Sequence, residues 1–421
     1  MRCMWITNLF FPEFYEVKKL KAPVMGGWMK ALADSLTKVD PEIEIAIASP
    51  WPDSHEIEEL KVGNYTFYTL PIKKNNTKID ATSIPIWKEI NRRFKPDIVH
   101  IHGSEFTHGY GWIQANGNNN VVLSIQGLIS VYARYAEAGI KFDRLKNLTI
   151  HDFIRKSYPD RLSQNTIQAG ESERILLNSI NNVIGRTSWD RDHLWALNPV
   201  AKYHFCNENL RSAFYKGERW RYESCQPRRI FLSQAAKPIK GLHKMIMALP
   251  LILREYPDTE VYVAGNDFIR CKTIHDRLRY SGFAKYIQRL MHVNNVINKI
   301  HFTGFLDADQ MMDQYRLANV FVCPSSIENS PNSLGEAQLV GVPVVASYVG
   351  GIPDMVSQGE TGLLYRFDEH EMLAEKVCTI FSDKSLAKSL SCNGYKAASE
   401  RHDISKNAKR TIEIYNDILG R

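Results

Sequence analysis

The stretch Val320-Phe-Val-Cys323-Pro324-Ser-Ser-Ile-Glu328-Asn-Ser-Pro-Asn332-Ser-Leu-Gly-Glu336-Ala-Gln-Leu-Val-Gly341-Val-Pro343-Val-Val-Ala-Ser347 reads as strand, loop, short helix, turn and strand. The apolar, β-branched runs at its two ends are bounded by proline and polar residues, as buried strands are. Gly341 ends the helix and Pro343 prevents its continuation. A strand, a helix and a second strand in this order form a βαβ unit, which implies a parallel sheet. Two glutamates stand on the connection, Glu328 in the loop and Glu336 in the first turn of the helix. A helix start facing a loop carboxylate suits a sugar attached to a phosphate.

The same alternation extends outward. On the amino side, strands are expected at Ile230–Ser233, Glu260–Ala264 and Ile300–Thr303, with a helix from about Leu242 to Arg254. A separate set precedes them: Arg2–Thr7, Glu44–Ser49, Thr66–Leu70, Asp97–His102, Val121–Ile125 and Asn182–Ile184. Helical periods lie at Trp28–Leu36 and Ile86–Phe94. Glu223-Ser-Cys-Gln-Pro-Arg-Arg229 is polar, contains a proline and reads as a linker. The expected organisation is an α/β chain of two Rossmann-like, doubly wound domains facing a cleft: residues 1–222, linker 223–229, second domain 230–404, and a terminal helix 405–421 crossing back to the first. Ligands of such sheets sit at the carboxyl ends of the strands.

At 421 residues the chain is too long for one ordinary core. A hydrophobic fraction of 44% with 24% charged residues describes a globular protein. The net charge of +7 is compatible with phosphorylated substrates or an anionic membrane surface. No segment joins a basic stripe to a nucleic-acid motif, so nucleic acid is not expected as a partner. The seven cysteines are scattered without a C-x-x-C pair, which argues against a zinc site or disulfide framework. With no signal core and no run of about 20 apolar residues, a cytoplasmic location is expected, and peripheral contact with the inner membrane face stays open. Arg270–Lys299 holds seven Lys/Arg and one Asp. Arg277, Arg279, Lys285 and Arg289 interleave there with Tyr280, Phe283, Tyr286, Ile287 and Leu290. The segment fits a solvated helix pair or a surface for anionic headgroups.

Ser333-Leu-Gly-Glu336 fits a capping box, in which case Glu336 caps its own helix. The alternative is that Glu336 accepts hydrogen bonds from ribose hydroxyls while N–H groups from Asn332 to Gly335 face a diphosphate. His301-Phe-Thr-Gly-Phe-Leu, Tyr315-Arg-Leu-Ala-Asn-Val-Phe-Val-Cys-Pro-Ser, the two-glutamate stretch, Gly350-Gly351-Ile-Pro-Asp-Met-Val and Lys240-Gly241 together resemble the donor-binding domain of the family 4 glycosyltransferases. These are retaining enzymes of the GT-B fold, and the resemblance is continuous from about Ile230 to Gly362. It implies that Lys240 contacts the donor diphosphate, Glu328 the transferred sugar and Glu336 the ribose. Asn332, Ser333, Leu334 and Gly335, with the Gly350-Gly351 turn, would line the pocket. No metal cofactor is implied, because lysine and helix N–H groups neutralise the phosphates.

The first half resembles the family more weakly. Val24-Met-Gly26-Gly27-Trp28 matches a glycine loop where backbone approaches phosphate or sugar. Pro96-Asp-Ile-Val-His100-Ile-His102-Gly103 puts His102 at a strand end. Two departures stand out. Ala235 occupies the place of a phosphate-binding arginine, with Lys237 nearby. Gln126, after Leu123-Ser-Ile, replaces a histidine near the catalytic centre; it can orient a hydroxyl but not transfer a proton. Arg186, Glu208 and Arg211 follow strands and are candidates for a phosphate or acceptor contact, or else a surface ion pair.

The implied function is a retaining hexosyl transfer from a nucleotide-diphosphate sugar to a hydroxyl of a glycan or lipid-linked glycan, in cell-surface polysaccharide synthesis. The alternatives are a nucleotide-sugar epimerase or hydrolase on the same fold, and a non-catalytic sugar-nucleotide binder.

Overall fold

A computed structural model describes residues 1–23, 26–51, 53–72, 81–140, 159–270 and 280–421. Val24, Met25, Arg277 and Arg279, named above, and one of the seven cysteines, Cys271, lie outside them. The chain divides into two compact units. Unit 1 comprises Met1–Ala133, Asn165–Arg211 and His402–Arg421; unit 2 comprises Arg134–Gln164 and Ser212–Arg401.

The described residues of unit 1 hold an eight-stranded sheet in the order β3-β4-β2-β1-β5-β6-β7-β8. The strands are β1 (Arg2–Ile6), β2 (Glu44–Pro50), β3 (Glu58–Val62), β4 (Tyr65–Leu70), β5 (Ile98–His102), β6 (Val121–Ser124), β7 (Asn182–Gly185) and β8 (Lys202–Phe205). Every neighbouring pair is parallel except β3 with β4. The period of two in each strand divides the core. Cys3, Trp5, Ile45, Ile47 and Val122 pack on one face. Met4, Ile6, Ala46, Ala48, Val121 and Leu123 pack on the other. Both faces are thus covered, which is why these strands read as continuous apolar runs.

The described residues of unit 2 hold a six-stranded sheet of parallel strands in the order β11-β10-β9-β12-β13-β14. Its strands are β9 (Arg229–Leu232), β10 (Glu260–Val263), β11 (Ile300–Phe302), β12 (Val320–Cys323), β13 (Val344–Ser347) and β14 (Leu363–Tyr365). In both sheets the strand order reverses next to the first strand, as in doubly wound folds.

Two differences from the sequence reading concern boundaries. The stretch read as a linker is bound within unit 2: Gln226 N–H donates to the Leu317 carbonyl at 2.9 Å, and Trp220 Nε1 donates to the Ala318 carbonyl at 2.7 Å. The units instead part at Ala133/Arg134, Gln164/Asn165, Arg211/Ser212 and Arg401/His402. The helix Ile404–Leu419 belongs to unit 1. There the Tyr415 hydroxyl meets His100 Nδ1 at 2.7 Å.

Part of the basic segment lies among the described residues. The helix Gly282–Val293 buries Phe283, Ala284, Ile287 and Met291. Tyr286 and Leu290 pack against the same core. Phe283, Tyr286, Ile287 and Leu290 therefore pack toward the interior of unit 2.

Candidate functional site

In unit 2 three turns converge at the carboxyl ends of β9, β12 and β13. After β9 the chain forms a short 3-10 turn, Pro238–Lys240, and then Gly241 at φ +74 caps the helix Leu242–Glu255. A Cβ at residue 241 would lie 1.6 Å from the Pro324 carbonyl oxygen. Only glycine allows the turn after β9 to sit against the loop after β12. Ser326 N–H then donates to the Ile239 carbonyl at 2.8 Å. After β13, Gly350 at φ +53 repeats the device, since a Cβ there would lie 1.9 Å from the Glu328 carbonyl oxygen. Gly351 N–H donates to that same oxygen at 3.0 Å.

These turns bring Lys240 and Glu328 together. Lys240 Nζ lies 2.6 Å from Glu328 Oε1. Ser325 Oγ donates to the same oxygen at 2.8 Å. Glu328 is buried, whereas the Lys240 side chain keeps 22% of its surface exposed. Burial works against the charge of Lys240, but the Glu328 carboxylate outweighs it and raises the pKa above the ordinary lysine value. The pair is a cation with solvent access resting on a buried, oriented carboxylate.

The helix Asn332–Val340 begins beside it, and here the capping-box reading fails. The cap is Pro331 and no side chain caps the helix. Ser333 and Glu336 lie inside the helix, too far along to bond reciprocally at its start. The N–H groups of Leu334 and Gly335 donate to the Pro331 carbonyl, which leaves Asn332 and Ser333 N–H without intrahelical partners. Glu336 is buried. The Tyr315 hydroxyl donates to the Ser333 carbonyl at 3.0 Å and reaches Glu336 Oε2 at 3.5 Å. Tyr315 lies in the stretch that carries the family resemblance, but nothing in its spacing marks this contact. Ala235 is buried in the apolar core of unit 2, so the place of the missing arginine holds packing instead; Lys237 is exposed at the cap of the 3-10 turn.

In unit 1 the strand ends carry a second cluster. Arg186, just past β7, forms a buried ion pair with Glu208, with side chains 4% and 10% exposed. It also donates to the Ile125 carbonyl, and Gln126 Nε2 donates to Glu208 Oε1 at 2.7 Å. This is an interior pair, not the surface pair that composition suggested. Burial disfavours the Arg186 charge, but Glu208 more than offsets it. His102 stacks on His100 at 3.8 Å and lies 4.3 Å from the Trp5 ring. Both its ring nitrogens are buried without a hydrogen-bond partner among the described residues. Burial, then the neighbouring His100 and Arg186, hold its pKa well below the ordinary value, so the ring is neutral. Gly26, at φ +85, caps the helix Gly27–Val39. A Cβ on Gly27 would come within 3.0 Å of the Arg211 side chain, which places Arg211 over the glycine turn.

Residues 219–397 match the family model described as glycosyl transferases group 1. The capsular polysaccharide biosynthesis glycosyltransferase CapM of Staphylococcus aureus is 26% identical over 180 residues, 43% of each chain. The matched stretch spans half or less of the length of such curated relatives. Among solved structures, sucrose-phosphate synthase of Thermosynechococcus elongatus superposes with a TM-score of 0.70 at 16% identity, covering 100% of this chain and 99% of that one. HepE of Anabaena, in complex with UDP and glucose, has a TM-score of 0.64 at 16% identity over 98% of both chains. The Lys240–Glu328 site lies inside the segment that matches the group 1 glycosyl transferases, and the two Rossmann-like units have the GT-B fold.

Proposed function

We propose that this protein transfers a hexosyl group from a nucleotide-diphosphate sugar to a hydroxyl of a glycan or lipid-linked glycan, with retention of anomeric configuration. The observation that carries the reading is the Lys240–Glu328 pair, 2.6 Å apart at the ends of β9 and β12, beside the open start of the helix Asn332–Val340. Lys240 and the N–H groups of Asn332 and Ser333 neutralise the diphosphate, so no protein-held metal is required. Glu336 takes the ribose hydroxyls. Glu328 holds the sugar and favours positive charge at its anomeric carbon. The bond from that carbon to the diphosphate breaks, and the bond to the acceptor oxygen forms on the same face. The departing phosphate oxygen takes the acceptor proton. No protein nucleophile or base is needed, which is consistent with glutamine at position 126.

Unit 1 supplies the acceptor groups in this reading, with Gln126 and His102 orienting hydroxyls and Arg186 fixing Glu208. The solved complex of HepE with UDP and glucose supports a nucleotide-sugar donor. The CapM relative supports a surface polysaccharide as destination. No helix among the described residues is long and apolar enough to cross a membrane.

Thermal-shift screening against nucleotide-diphosphate sugars, followed by transfer to candidate acceptors with NMR of the product's anomeric centre, tests the reading. Retained configuration, turnover undiminished by EDTA and strong loss in Glu328→Gln are expected. Inverted product overturns retention. Epimerised or hydrolysed donor without transfer favours the alternative enzymes, and binding without turnover favours a non-catalytic binder. Full turnover in Gln126→Ala removes that residue from the mechanism.

A further inference from the structure

One carboxylate of unit 1 folds back onto the strand ends without appearing in the mechanism above. Gly103, at φ +97, follows β5, and a Cβ there would lie 2.0 Å from Glu105 Oε2. The Glu105 side chain therefore covers the backbone immediately after His102, and only glycine leaves room for it. Glu105 as a residue is half-buried.

What holds this turn is a second carboxylate. Glu173, on the helix Pro159–Asn178, is 1% exposed. It accepts from Ser104 Oγ at 2.6 Å, Ile129 N–H at 3.1 Å and Ser130 N–H at 2.8 Å. Ser104 Oγ also lies 3.3 Å from the Gly127 carbonyl. A Cβ on Gly170, one turn earlier on the same helix face, would fall 2.7 Å from Ser130 Cα. Gly170 thus admits the helix against the loop, and Glu173 fastens it. One buried side chain ties the turn after β5, with His102 and Glu105, to the turn after β6, with Gln126.

We propose that Glu105 is a further acceptor-binding carboxylate, taking hydroxyls of a neutral saccharide, and that Glu173, acting through Ser104, is the residue that positions it. The inference rests on the reading of unit 1 as the acceptor side. Burial, with Glu173 and Glu208 adding and Arg186 opposing, pushes the Glu105 pKa up to about 7. Its acceptor strength therefore changes across neutral pH, and Glu173 helps set where.

Saturation-transfer NMR of the full chain with free glucose, mannose and maltose reads saccharide contact without turnover, and thermal shift with UDP and GDP reads the donor side separately. Wild-type contact that weakens about tenfold or more in Glu105→Ala and in Glu173→Ala, with nucleotide shifts retained, supports the proposal. Glu105→Gln should fall between. In Glu173→Gln the pH midpoint of saccharide contact should move toward acid, because a negative neighbour is removed; a purely structural Glu173 leaves it in place. Contact within about twofold of wild type in Glu105→Ala, loss in parallel with the nucleotide shift, or no wild-type contact with any of the three sugars overturns it. Absent nucleotide shifts in wild type with saccharide contact still lost in Glu105→Ala would overturn the donor reading and leave this one standing.

Discussion

The carboxyl ends of the two sheets each hold an acid–base pair, but the pairs are built in opposite ways. In unit 2, backbone geometry does the assembling. Gly241 and Gly350 let three turns touch, and the Lys240–Glu328 pair rests on them with its cation partly in solvent. In unit 1 the side chains do it. Arg186 and Glu208 are joined deep inside, braced by the Ile125 carbonyl and Gln126, beside a neutral His102. A solvent-touching lysine can exchange its carboxylate for an incoming phosphate. A buried arginine with every neighbour fixed is suited to holding shape.

Breaking the two pairs separately is the strongest test of that contrast. Arg186→Met strands a buried Glu208 carboxylate and should destabilise unit 1 by about 3–5 kcal/mol, largely relieved by adding Glu208→Gln. Lys240→Met strands an equally buried carboxylate, Glu328, but Ser325 still donates to it and Lys240 is itself partly hydrated, so the stability cost should be the smaller of the two while donor binding is abolished. Urea denaturation of the four proteins gives the comparison. Equal stability losses at the two sites would erase the distinction.

The role of backbone in unit 2 is tested next by Gly241→Ala. The new Cβ meets the Pro324 carbonyl at a left-handed φ, so the loop carrying Glu328 must move. A loss of about 3 kcal/mol is expected, read as a lowered unfolding midpoint. Gly359→Ala serves as the contrast: it also has a positive φ, of 77°, but its Cβ would meet nothing within 4 Å. It should lose only the strain, about 1–2 kcal/mol.

This contrast also explains what the sequence made legible. Strands β9 to β13 of unit 2 and the Lys240-Gly241 and Gly350-Gly351 turns could be read because close backbone contact demands particular residues at particular spacings. β3 and β14 escaped notice, the first because Glu58-Glu-Leu-Lys-Val is half polar on a sheet edge, the second because three residues carry no period. The Ser333/Glu336 spacing matched a capping box by chance, since Pro331 starts the helix earlier. In unit 1, Arg186, Glu208 and Gln126 were each candidates, yet their pairing joins the ends of three different strands, which no local pattern records. Glu173 sits in a largely polar helix where one glutamate looks like any other until the loop it binds is in place.

Acid should separate the units further. His100 has a pKa of about 3 and His243, in unit 2, about 4, both lowered by burial, against an ordinary value of 6.5. The unfolded chain takes up protons below pH 6.5 that these folded imidazoles refuse. Stability is therefore full above pH 6.5 and falls as pH drops toward 3–4. At pH 5 each depressed histidine removes about 2 kcal/mol. His102 adds a loss of the same sign in unit 1. Denaturation at pH 7 and pH 5 should thus show the larger loss in unit 1. Tryptophan emission reports mainly that unit, because Trp220 lies in unit 2 and the other tryptophans in unit 1. A flat response would mean that the histidines are solvated.

The smallest effect concerns how much of the unit 2 site is side chain after all. The Tyr315 hydroxyl donates to the Ser333 carbonyl and reaches Glu336. Tyr315→Phe keeps the ring among Phe214, Phe231 and Phe321, so packing should survive. The lost hydrogen bond should cost about 1 kcal/mol. If Glu336 is oriented by that hydroxyl, nucleotide affinity should fall about fivefold with turnover at saturating donor unchanged, because only binding shared by ground and transition states is removed. If the helix backbone alone sets Glu336, affinity should not move, and unit 2 would be the purely backbone-built site that its glycines suggest.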